Sequence, residues 1–181
     1  MRKIAMLAGC LLLAGPALAQ STGEKTGINS LLGVSPTTPD FVKEAAMSDM
    51  FEIQSSQLAE QKGDAPTKSF AEHMITDHQK TTAALKSMVQ SGSVKASLPT
   101  GLDSSYQDKL GKLQSESGKD FVALYASDQV SAHKDAVSLF QRYAKGGDNA
   151  GLKSWAGQTV PTLQQHLQMA EGLNKESVGK L

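Results

Sequence analysis

Between Phe41 and Leu173 apolar residues recur at three- and four-residue spacing in four long stretches, with no alternating strand pattern between them. Each stretch predicts an amphipathic helix. The first opens at Thr38-Pro39-Asp40, where a capping residue, a proline in the first turn and an acid near the positive helix end favour a start. It runs to Lys62 and stops at Gly63; Asp64 then caps the second helix, which has Pro66 in its first turn and ends at Gly92. Residues 93–118 read as a long connection holding Leu98-Pro99-Thr100-Gly101 and a short amphipathic stretch from Asp103 to about Ser115. The third helix spans about Lys119 to Lys145 and is halted by Gly146-Gly147. Asp148 is the expected cap of the fourth, which continues to about Leu173 and must bend near Pro161, because proline removes a backbone bond and crowds the turn before it. Four long helices joined by short, long and short connections predict an all-α fold, the ferritin-like four-helix bundle with one long crossover containing a short helix.

The flanks change the picture of where the chain works. Arg2 and Lys3 precede an apolar run from Ile4 to Leu13, a break at Gly15-Pro16, and Ala17-Leu18-Ala19 before Gln20. That is the anatomy of a bacterial secretory signal peptide over residues 1–19, too short to be a membrane span, and it predicts a periplasmic or secreted protein. Leu7-Ala8-Gly9-Cys10 resembles a lipoprotein box, but little apolar sequence precedes Cys10 and apolar sequence continues beyond it, which argues against lipid anchoring. Residues 20–37 read as a flexible linker from which Ile28, Leu31, Leu32 and Val34 could lie against the domain. Residues 38–175 form the bundle and 176–181 a tail.

Cys10 is the sole cysteine, so the chain after cleavage has no thiol for disulfides or thiol chemistry. Eighteen basic residues balance 18 acidic ones, and loss of Arg2 and Lys3 leaves 16 against 18. No basic patch suggests nucleic acid, and no second segment could span a membrane.

Advancing 100° per residue tests which ionisable groups face the core. His78 shares its face with Ala71, Met74, Ile75, Leu85 and Val89; His133 with Val122, Ala126, Gln129, Val130, Val137 and Phe140; His166 with Leu152, Trp155, Leu163, Ala170 and Leu173. Glu52 lies on the strip of Phe41, Ala45 and Ala59, where Ser48 and Ser55 leave room for a carboxylate. His73 falls about 140° from the face of His78 and is expected in solvent, and Asp77 points about 100° away, as an edge residue or a partner behind a ligand. If the second and third helices begin at one end, His78 and His133 differ in height by roughly 3 Å. The four groups can therefore converge.

Three imidazoles and a carboxylate suit zinc, copper, iron or nickel, with Met74 and Met169, each one turn from a histidine, as additional thioether donors favouring copper. The bland reading is that both methionines only fill gaps, and that the histidines bond to Glu52, Gln129, Thr159, Thr162 or Tyr125 in a metal-free polar cluster. A carboxylate-bridged di-iron centre is disfavoured, since Ile75, Val130 and Leu163 stand where its acids are needed. Hydrolase, phosphate-loop, zinc-protease and dinucleotide motifs are absent, which points away from those enzymes. Three readings follow: a transition-metal binder in the cell envelope, for metal handling or stress protection; a metal-free structural or interaction protein; and a mononuclear-metal redox enzyme.

Met74-Ile75-Thr76-Asp77-His78, Tyr125 with Gln129 and His133 followed by Leu139-Phe140, and Val160-Pro161-Thr162-Leu163-Gln164-Gln165-His166-Leu167 resemble the exported bacterial family catalogued as a domain of unknown function with a ferritin-like helical fold. Leu98-Pro99 and Gly118-Lys119-Asp120-Phe121 match its connection. The resemblance covers about residues 39–173 and implies a periplasmic or envelope location and a helical bundle. It implies no activity, so function has to be argued from the site.

Overall fold

The computed structural model describes residues 28–179, so the expected signal peptide, Cys10 and the expected mature start at Gln20 lie outside the described residues. Six helices and no strand occur among these residues: α1 (Ile28–Leu31), α2 (Thr38–Lys62), α3 (Ala65–Gln90), α4 (Ser104–Ser115), α5 (Gly118–Gly146) and α6 (Ala150–Val178). None is long and apolar enough to cross a membrane.

Local chemistry sets the boundaries. Thr37 caps α2 by accepting from the Asp40 amide at 3.3 Å, and Asp64 caps α3 by accepting from the Thr67 amide at 3.1 Å. Gly92 adopts φ 75° just beyond α3, a conformation that suits glycine. The cap of α6 differs from expectation. Asn149 fills it, accepting from the Leu152 amide at 2.9 Å, because the Asp148 carboxylate is turned to the Thr38 hydroxyl at the start of α2 and the Tyr143 hydroxyl near the end of α5. Helix α6 also outruns the expected end near Leu173 and absorbs most of the expected tail: Gly172 does not break it, and Ser177 is buried, donating to the Asn174 carbonyl. Pro161 lies within α6.

Helices α2 and α3 form one hairpin and α5 and α6 another, while α2 also packs on α5 and α3 on α6. The four long helices thus make a ring in which each touches two neighbours. Across α2 and α5, Ser56 meets Tyr125, Ser55 meets Gln129 and Thr38 meets Tyr143, so these two run antiparallel. Helix α5 is then parallel to α3, and the chain returns the length of the bundle through the crossover, whose α4 packs on α2 and α5. Residues 30–34 are tied to α5: Arg142 donates to the Val34 carbonyl at 2.7 Å, and the Ser30 and Ser138 hydroxyls lie 3.1 Å apart. Leu31, Leu32 and Val34 stay outside the core, at 86%, 69% and 46% exposed.

The core has two apolar clusters. One gathers Phe51, Phe70, Met74, Leu113, Phe121, Tyr125 and Leu173; the other gathers Phe41, Leu85, Leu139, Phe140, Tyr143, Leu152 and Leu163. On α3, α5 and α6 the buried histidine falls between the two sets, as Met74, His78 and Leu85 illustrate. A polar layer therefore crosses the middle of the bundle.

Candidate metal centre

His78, His133 and His166 come from three helices and are each no more than 2% exposed. Their rings lie 5.4–5.6 Å apart between centroids, and one ring nitrogen of each falls within 4.8 Å of the others. Each ring is anchored by its other nitrogen. His78 Nδ1 donates to Asp49 Oδ1 at 2.8 Å, His133 Nδ1 to the Gln129 carbonyl at 2.9 Å, and His166 Nε2 to Asp77 Oδ2 at 3.1 Å. A carbonyl or ionised carboxylate can only accept, so these bonds put the proton of a neutral ring on the anchored nitrogen. The lone pair is left on His78 Nε2, His133 Nε2 and His166 Nδ1, and those three buried atoms have no hydrogen-bond partner in the protein. Orienting bonds of this kind on carboxylates and carbonyls are what fix metal-binding imidazoles.

Asp49 is the participant that periodicity did not disclose. It is buried on α2 one turn before Glu52, and its second oxygen accepts from Thr81 at 2.8 Å and Thr82 at 3.1 Å. The i, i+3 spacing to Glu52 was the available signal.

Glu52 is 1% exposed and sits beside the triad rather than within it. Its Oε1 is 4.0 Å from His133 Nδ1, the nitrogen already committed to Gln129. Neither carboxylate oxygen has a hydrogen-bond partner; the Gln129 amide, which donates to Ser55 Oγ at 3.2 Å, is near enough to favour the charge without satisfying that geometry. Met74 is fully buried in the first apolar cluster and Met169 packs at that cluster's edge. Tyr125 bonds Ser56, and Thr159 bonds the Trp155 carbonyl, so neither serves a histidine. His73 is part exposed, yet its ring lies 5.5 Å from that of His166.

Electrostatics separates the three rings. Burial holds His133 down to about 3 and His166 down to about 4, aided in both by the charge on His78. Burial also opposes a charge on His78, but Asp49, by hydrogen bond and charge, with Glu52 behind it, outweighs that and raises its pKa. Burial pushes Glu52 up to about 7 against the pull of His78 and Gln129. Near neutral pH His133 and His166 are therefore neutral imidazoles, while Asp49 and Glu52 favour a proton on His78 that an incoming cation competes with. Once His78 gives up its proton, three buried imidazoles with ring nitrogens within 4.8 Å of one another are a donor set for a borderline transition metal, and the residues present fit such an ion.

Fold and site together define an all-helical bundle with a histidine-rich polar layer. The chain belongs to the family described as domain of unknown function DUF4142, which matches residues 24–173. No match was found among curated proteins or among solved structures.

Proposed function

We propose that this chain is an exported, ferritin-like four-helix bundle that binds one transition-metal ion, zinc, copper or iron, on His78, His133 and His166, with Glu52 as the neighbouring carboxylate, for metal handling or stress protection in the cell envelope. The observation that carries the reading is the set of three buried nitrogens, each left without a protein partner while its ring is fixed through the opposite nitrogen. Burying such groups without a partner costs free energy, which a bound cation would offset. The ring of helices with one long crossover supports the ferritin-like assignment, and the sequence of residues 1–19 supports export. Ile75, Val130 and Leu163 remain apolar or buried at the positions a di-iron site would fill with acids, so a single ion fits the layer better than two bridged ones.

The test is titration of zinc or copper into metal-free protein, with elemental analysis of protein purified from the periplasm. One equivalent should bind and raise the melting temperature, by about 2.7 kcal/mol of stabilisation at a hundredfold excess over the dissociation constant. His133→Ala should lose that gain. If zinc, copper, iron and nickel all leave the native protein's stability unchanged, the polar layer is a metal-free structural device.

A further inference from the structure

A second group of ligand atoms adjoins the buried triad: His73, Asp77 and His166 bring one donor atom each within 4.8 Å of one another. His73 Nε2 and His166 Nε2 approach the same oxygen, Asp77 Oδ2, at 3.3 Å and 3.1 Å. We propose that His73, Asp77 and His166 form an outer site where a divalent transition-metal ion first lands, before His166 hands it to the buried triad; the hand-over rests on the metal-binding reading above, the outer site does not.

Exposure orders the residues into a path. The side chain of His73 is 45% exposed, that of Asp77 19% and that of His166 2%. His73 also opens onto a surface groove of about 400 Å³ that it lines with Phe70, Met169 and Glu176, which puts a thioether and a carboxylate beside the approach. Two imidazoles and a carboxylate accept the same borderline cations as the triad.

His166 belongs to both groups, its Nε2 at Asp77 and its Nδ1 buried without a protein partner, and this couples them. A neutral imidazole has one lone pair and one proton. An ion on Nε2 requires the proton on Nδ1, which removes His166 from the inner set. When the ion moves to Nδ1, the proton returns to Nε2, where Asp77 accepts it at the distance observed. Proton and cation exchange ends of one ring, and a single ion occupies one site at a time. Lys80 discourages a long stay outside: its ammonium lies 2.9 Å from Asp77 Oδ1, and it is 71% exposed and free to swing away.

Stopped-flow mixing of cobalt(II) with the full mature chain tests this, because the visible bands of cobalt on three imidazoles differ from those of cobalt on two imidazoles and a carboxylate, and the final spectrum reports the triad. His73→Ala should reach the wild-type final spectrum at least about tenfold more slowly. Wild-type loading rates in His73→Ala overturn the proposal. If wild-type protein develops no cobalt spectrum, the buried-site reading fails, and a zinc titration followed through the His73 ring resonances decides the outer site alone. A saturable shift of His73 that Asp77→Asn abolishes supports it; no shift overturns it. His73 is exposed, so its replacement does not endanger the fold.

Discussion

Asp49 on α2 and His78 on α3 meet through a 2.8 Å hydrogen bond in which the carboxylate fixes both the ring's orientation and the nitrogen that keeps its proton. Thr81 and Thr82 donate to the other carboxylate oxygen, which holds the acid in its place behind the His78 ring. Asp49→Ala should therefore weaken metal binding by about 10–100-fold, the range found when an orienting partner behind a ligand is lost. Asp49→Asn, whose carbonyl can still accept from Nδ1, should retain most of the affinity. Competition against a chelator of known affinity measures both.

Glu52 gives the metal-free protein a pH dependence of definite sign. The unfolded chain ionises this residue near 4.5, whereas the folded chain holds its proton to about 7. The unfolded state loses the proton first, so the contribution is fully present below 4.5 and is lost as pH rises to 7. At pH 8 the cost is on the order of 3 kcal/mol. Metal-free Glu52→Gln should melt above the wild type at pH 8, and the difference should close in acid; a constant difference across that range would contradict the assignment.

Metal affinity should fall with acidity through few protons. His133 and His166 stay neutral down to about 3 and about 4, so between pH 5 and 7 competition comes from His78 and Glu52. A plot of log affinity against pH should have a slope of at most about two there, dropping toward one in Glu52→Gln. A slope near three would mean that all three rings titrate together.

Leu152 is fully buried in the second apolar cluster, away from the polar layer. Leu152→Ala should cost about 2–5 kcal/mol in chemical denaturation while leaving metal stoichiometry unchanged. That separates loss of the fold from loss of the site.

The helices and three of the four central groups were legible because α3, α5 and α6 each bury one stripe, and a histidine in the middle of a stripe stands out. Helix α2 was harder to read. It is covered by α3, α5 and α4, so Asp40, Ser48, Asp49, Ser55 and Ser56 are buried beside the apolar residues and the stripe blurs. Asp49 is hidden for that reason, and the wheel that turns Glu52 inward does not tell whether its carboxylate lies among the three imidazoles or, at 4.0 Å from His133 Nδ1, beside them. His73 points away from the face of His78 by angle alone. Its long side chain still leans toward α6 and reaches the His166 ring, a reach that a Cα wheel cannot represent. The choice of Asn149 over Asp148 as cap depended on Thr38 and Tyr143, distant in sequence from that turn.

The two hairpins have a kinetic consequence. Contacts within α2–α3 and within α5–α6 are local in sequence and quick to form, whereas those between the hairpins must wait for the crossover to close. The first hairpin carries His78 with Asp49, and the second carries His133 and His166. Neither holds three imidazoles, so the ligand set comes into being only when the halves dock. An ion held by all three rings would join the two hairpins to each other, as no ligand set within either hairpin could.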